Sequence, residues 1–231
     1  FIPSLLLSMV GVAMLGVTIE WVAYRPLRSA PRVSAIITAL GVVIFLENFT
    51  LVFFPYPQSV PTLLKTVIWN IGGVTISNLQ ILIIVVAILM MIMLDVIVQK
   101  TKVGMAMRAI SWDKSVVPLM GVPLDLIISI TFALGTSLGA TAGTLYAIAF
   151  PVIDPYMGIL VGWKAFIAAV VGGIGNIRGA MIGGFILGIV EIMVAAFMPS
   201  TYRDFVAFGV LLILLIFRPY GILGKPRPQK V

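Results

Sequence analysis

Long apolar runs alternate with short polar connections along the chain, and seven such runs can be counted: residues 1–19, 33–54, 79–98, 126–150, 157–171, 180–198 and 205–217. They are too long for the strands of an outer-membrane barrel, which alternate over ~10 residues. Helices are the remaining way to satisfy the backbone in lipid. The predicted fold class is therefore all-α: a polytopic membrane bundle of about seven transmembrane helices, forming one domain over residues 1–231. Crossing the hydrocarbon takes ~20 residues, so the fifth and seventh runs are marginal. Their flanking Lys164, Arg203 and Arg218 can snorkel to the interface.

The connections differ in kind. Glu20 closes the first run and leads into a loop with Arg25, Arg28 and Arg32. Residues 55–78 carry Pro55, Pro57, Pro61 and the pair Gly72-Gly73 with one cation, Lys65, which predicts an ordered surface segment. The longest charged interruption is residues 99–125, centred on GMAMRAISWDKSVVPLMG, where Lys100, Lys102, Arg108 and Lys114 face one anion, Asp113. Its sequence predicts a hinge at Gly104, a short helical extension carrying Arg108, and then a second short helix. Ser111 is the expected N-cap of that helix, and Asp113 in its first turn is favoured by the helix dipole. Pro118 ends it by about Val117, and Gly121 and Pro123 turn the chain back. Trp112 and neighbouring Val116 or Met120 are then presented outward. Two readings stand side by side: decoration of the lipid surface, or a docking element for a soluble partner.

Charge fixes an orientation. If every run crosses once, Arg25, Arg28, Arg32, Lys100, Lys102, Arg108, Lys114, Arg178, Arg218, Lys225, Arg227 and Lys230 share one side, and Lys65, Lys164 and Arg203 the other. Lys and Arg concentrate in cytoplasmic loops, so the C-terminus is expected in the cytoplasm. The net charge of +7 belongs to this bias rather than to nucleic-acid binding. Hydrophobic residues make up 61% of the chain and charged residues 10%, against roughly 25% charged in soluble domains. With no cysteine and no histidine, disulfides, thiol catalysis and the usual zinc sites are excluded. The chain opens at Phe1 inside an uncharged run with no basic segment before it. That reads as a span entered mid-protein rather than a signal peptide.

Glycines fall at spacing four at Gly135, Gly139 and Gly143, at Gly175, Gly179 and Gly183, and at Gly184 and Gly188. Small residues at this spacing let helices approach closely in lipid, so Gly135, Gly139, Gly143, Gly183 and Gly188 are expected at helix contacts. No enzyme constellation is present. Gly172-Gly173-Ile174-Gly175 lacks the Lys-Ser/Thr ending of a phosphate loop, and no metal site is expected. Ionisable groups inside spans are functional candidates. Asp95 lies one turn from the end of its run, within reach of headgroup water, and Lys164 flanks a short run. Glu47, Asn48 and Glu191 are the pathway candidates, with Glu191 deepest and expected at a helix interface or cavity.

Three stretches together carry a family resemblance. IEWVAYRPLRSAPR (19–32), GMAMRAISWDKSVVPLMGV (104–122) and GWKAFIAAVVGGIGNIRGAMIGGFILGIVE (162–191), with the ending PYGILGKP, resemble the permease subunits of branched-chain amino acid ABC importers of the LivH type. The likeness runs through nearly the whole chain in the same order. It departs at Glu47, where the family more often has Gln, at Arg178, where Pro is common, and at Pro118. Further helices with an Asn-Phe-Ala-His-like segment precede this part in the family and are absent here. The resemblance implies a type II-like importer architecture in a bacterial or archaeal inner membrane. It implies a second related permease, two cytoplasmic ATPases and an extracytoplasmic solute-binding protein as partners. ATP and magnesium would be bound by the ATPases, leaving this chain a transport subunit without cofactor or catalysis. The 104–122 stretch matches the loop that receives the ATPase, which implies coupling roles for Arg108, Ser111, Trp112, Asp113, Val116 and Gly121. The alternative is an ion-coupled secondary transporter of small polar solutes using Glu47 and Glu191. It predicts inverted repeats, and no clear repeat is present.

Overall fold

A computed structural model describes residues 1–231 except 29, 62–65, 72–73, 115–116, 200, 219 and 225–231. Lys65, Val116 and Lys225 thus lie outside the described residues. The chain forms two compact units, Phe1–Pro155 and Tyr156–Val231.

In the first unit, α1 (Ile2–Ile19) runs along α5 (Leu124–Ala149), with α3 (Asn78–Lys100) and the short α4 (Lys102–Trp112) also against α5. The α1–α5 contact includes small and hydroxyl residues. A side chain at Gly16 would collide with Thr136, and the Ser8 and Thr144 hydroxyls pair at 3.2 Å. In lipid, where apolar contact brings no hydrophobic gain, such close fit and polar pairing hold helices together. α2 (Arg32–Phe53) shows the opposite character, with large apolar side chains exposed along its length. A helix apolar all round suits hydrocarbon rather than water.

The connection at 55–78 is more regular than expected. β1 (Gln58–Ser59) is followed by β2 (Ile68–Ile71) and β3 (Val74–Ser77), which pair antiparallel. β4 (Val152–Ile153), after α5, pairs antiparallel with β1. The β-branched residues flanking Gly72-Gly73 in the sequence are the signal for this hairpin. Its exit is sealed by a capping box, in which Ser77 Oγ accepts from Leu79 N at 3.2 Å and Gln80 Oε1 from Ser77 N at 3.0 Å.

In the second unit, α6 (Met157–Gly172), α7 (Ile177–Phe197) and α8 (Tyr202–Phe217) pack around Ile167, Val171, Leu187 and Ala207. Gly173, at φ +111°, ends α6 in a conformation that L side chains rarely adopt. Asn176 Oδ1 caps α7 by accepting from Gly179 N at 3.2 Å. The chain after α8 then returns to α6, where Ile222 N donates to Val171 O at 2.9 Å and Leu223 N to Gly172 O at 3.1 Å.

The glycine expectations separate here. A Cβ at Gly183 would run into the Ala168 carbonyl, and one at Gly179 into the Gly172 carbonyl, so α6 and α7 do touch backbone to backbone. At Gly135, Gly139, Gly143 and Gly188 an added Cβ would meet no described atom within 4 Å. Spacing marks a small-residue face but not whether a neighbour occupies it.

Among the described residues five helical stretches are long and apolar enough to cross a membrane: Ile2–Leu27, Val33–Phe53, Asn78–Lys100, Leu124–Ala149 and Ile177–Phe197. α6 and α8, at 16 residues each, are about 24 Å long. They are the two short runs already marginal in the sequence. The chain is a multi-pass membrane protein.

Candidate functional site

The segment after α3 is built differently from its expected form. The break falls at Thr101, which N-caps α4 by accepting from Gly104 N at 3.1 Å. Gly104 lies inside α4 and is required there, because a Cβ would strike the Ile97 and Val98 carbonyls of the tight α3–α4 corner. α4 continues to Trp112, so Ser111 is no N-cap. Its hydroxyl donates to Arg108 O at 2.8 Å within the last turn. Asp113 is the C-cap rather than a first-turn residue. Pro118 does not terminate a helix; it lies within a short 3-10 turn, Val117–Met120. The physical reason is that proline suits the first turn of a helix, where its missing N–H is not needed. The Arg108 guanidinium folds back to donate to Val98 O. Gly121, at φ +76°, then turns the chain toward α5.

This segment presents an apolar surface to its surroundings. Trp112 is 67% exposed, Leu119 86% and Met120 75%. Gly104 and Val117 are its buried anchors, and α4 rests on both α3 and α5.

Beside it stands an ion cluster that joins three stretches of chain. Glu20 is 1% exposed. Its carboxylate accepts from the Arg28 guanidinium and from Ser129 Oγ at 2.7 Å. Arg28 also reaches Asp125, which pairs with Arg25 at 2.5 Å. Lys114 Nζ donates to the Arg28 main-chain carbonyl at 3.3 Å. The local backbone explains how Glu20 turns inward. Pro26 has no N–H to donate to the fourth residue back. Ahead of it the helix widens into a π turn, Glu20–Tyr24, in which Arg25 N donates to Glu20 O. Burying a carboxylate is tolerable only when it is paired and hydrogen-bonded, and both conditions are met here.

A second cluster lies within the Tyr156–Val231 unit. Lys164 on α6 approaches Glu191 on α7 at 3.0 Å and Asp204 on α8 at 3.2 Å. The first contact is an ion pair only, since Glu191 Oε1 is shut off from solvent and makes no hydrogen bond of good geometry. Lys164, 34% exposed, thus pairs with carboxylates of two other helices. Glu191 sits at a helix interface, with one cation between two carboxylates.

The comparisons with known proteins bear on what these clusters serve. Residues 1–215 match the family described as branched-chain amino acid transport system / permease component. The chain is 42% identical over 229 residues to the high-affinity branched-chain amino acid transport system permease protein BraD of Pseudomonas aeruginosa, covering 97% of this chain and 75% of that one. It is 40% identical over 222 residues to LivH of Escherichia coli, the permease protein of that bacterium's high-affinity system, covering 94% and 72%. The chain belongs to this permease family. A shorter likeness, 33% over 105 residues and 42% of this chain, links the permease to the autoinducer 2 import system permease protein LsrC of Escherichia coli. No solved structure matches the permease.

The structure brings Arg108, Ser111, Trp112, Asp113 and Gly121 of the permease into one segment, while Val116 lies outside the described residues. The pathway candidates fall in different units. Glu47 and Asn48 are on α2, where Asn48 Nδ2 donates to Ile44 O of its own helix at 2.8 Å and Glu47 Oε1 is shielded without a hydrogen bond. Glu191 belongs to the other unit. Glu20 was missed by sequence reasoning. The available signal was a carboxylate followed within eight residues by two arginines and a proline, with a further carboxylate, Asp125, at the mouth of another span.

Proposed function

We propose that the chain is the transmembrane subunit of an ATP-driven importer that translocates branched-chain amino acids, or a closely related small amino acid or amide. The observation that carries this reading is the 42% identity to BraD over 97% of the chain. LsrC serves an autoinducer 2 system, so the cargo assignment rests on the long matches and not on the fold. Nothing in the fold or the relatives favours the ion-coupled alternative.

In this reading the energy arrives from partner subunits. Two ATPases bind ATP and magnesium, and one of them receives the α4 segment of this chain. A second related permease completes the pathway, and a solute-binding protein delivers the substrate to the opposite face. Trp112, with Leu119 and Met120 on the turn that follows, supplies the apolar surface that a groove can bury. Arg108, held to Val98 O, fixes the angle at which α4 leaves the bundle. Glu47, Asn48 and Glu191 remain the pathway candidates.

The reading requires the α4 segment and Arg178 to face the cytoplasm, with Arg203 outside. The chain has no native cysteine, so single cysteines at Lys102, Arg178 and Arg203 can be tested with an impermeant thiol reagent on intact cells. Labelling is expected at position 203 and absent at 102 and 178. External labelling at both 102 and 178 would overturn the orientation, and with it the docking of a cytoplasmic ATPase.

A further inference from the structure

Resting on the docking role of α4 given above, we propose that Glu20 is a positioning residue of transport. It is the inner end of a relay that runs from Lys114 through Arg28 into α1 and α5. Lys114, two residues beyond the end of α4, holds the Arg28 main chain at 3.3 Å. The Arg28 side chain holds Glu20 and Asp125. Glu20 in turn is hydrogen-bonded to Ser129 on α5 at 2.7 Å. A displacement of the docking segment therefore acts on the Arg28 backbone. The guanidinium cannot leave Glu20 without stranding a carboxylate that is 1% exposed, so the ends of α1 and α5 move with it.

The backbone at Glu20 suits such movement. The π turn inserts one residue into the helix, with Arg25 N bonded to Glu20 O. Reversion to α geometry is a discrete step of one residue, and π-bulges recur at functional sites. A two-state element biased from outside is what coupling between distant sites requires. A plain anchor for the basic loop would need the Arg28–Glu20–Ser129 ties but not the contact from Lys114.

The test uses the complete importer in proteoliposomes, reading ATP hydrolysed per substrate imported. Glu20→Gln and Lys114→Met should each leave co-purified ATPase unchanged, and Lys114→Met the melting temperature too, while raising that ratio about tenfold. Because the relay is serial, the double variant should be no worse than the worse single. Ser129→Ala keeps the carboxylate and its ion pair. It serves if Glu20→Gln fails to assemble, with a roughly threefold rise expected. Wild-type ratios in the variants that assemble, additive effects in the double, or a fall in melting temperature with uptake and hydrolysis declining together would each overturn the relay. The docking reading fails separately, through undiminished ATPase binding in Trp112→Ala; a Trp112 effect with inert Glu20 and Lys114 sinks the relay alone.

Discussion

Gly183→Leu will force α6 and α7 apart and destabilise the Tyr156–Val231 unit by about 3 kcal/mol, at the upper end of overpacking effects. A Cβ at this position meets the Ala168 carbonyl and also lies 2.8 Å from Gly172 N, so the obstruction is backbone that cannot rotate away. The helices must separate, which strips contact from Ile167, Val171 and Leu187 around them. Between helices in lipid that contact is the main source of cohesion, with no hydrophobic gain to replace it. Gly139→Leu makes the control, since a Cβ there meets nothing within 4 Å. Unfolding of the detergent-purified chain should shift for the first variant and not for the second. Equal shifts would mean that the α6–α7 approach is not what Gly183 secures.

Trp112→Ala will weaken docking of the ATPase by on the order of 2 kcal/mol, ~30-fold in affinity. Trp112 is the largest apolar side chain of the α4 segment and stands 67% exposed at its end. A tryptophan that becomes fully buried on binding is the kind of anchor that dominates interface energy. The turn bearing Leu119 and Met120 follows in the same segment and would enter the same groove. Removing it leaves the α3–α4 corner intact, because that corner depends on Thr101 and Gly104. The measurement is titration of the purified ATPase against permease assemblies in nanodiscs. An unchanged affinity would return the segment to decoration of the lipid surface.

The sequence was legible where a physical requirement leaves a one-dimensional trace. Backbone satisfaction in lipid demands long apolar helices, so the runs at 79–98 and 126–150 reappear as α3 and α5 with ends displaced by no more than two residues. The cationic interruption between them appears as α4 and the turn that follows. What failed was local and depended on the third dimension. Ser111 has the composition of an N-cap, yet Thr101 had already started the helix ten residues earlier, and a hydroxyl in a last turn bonds backward instead. Gly139 and Gly183 carry the same spacing signal, and only the arrival of α6 distinguishes them. Glu20 looked like the boundary of a span. Its burial follows from Pro26 widening the preceding turn and from Ser129, more than a hundred residues away, donating to it. The pairing of Lys164 with Glu191 and Asp204 left no trace in the sequence, because two other helices bring those carboxylates beside it.

The most direct measurement is uptake by the complete importer, reconstituted with its ATPases and solute-binding protein in liposomes loaded with ATP and magnesium. Radiolabelled leucine should accumulate against its gradient only when ATP is inside, unaffected by collapsing proton and sodium gradients. Accumulation that survives ATP removal and vanishes with an ionophore would contradict the account.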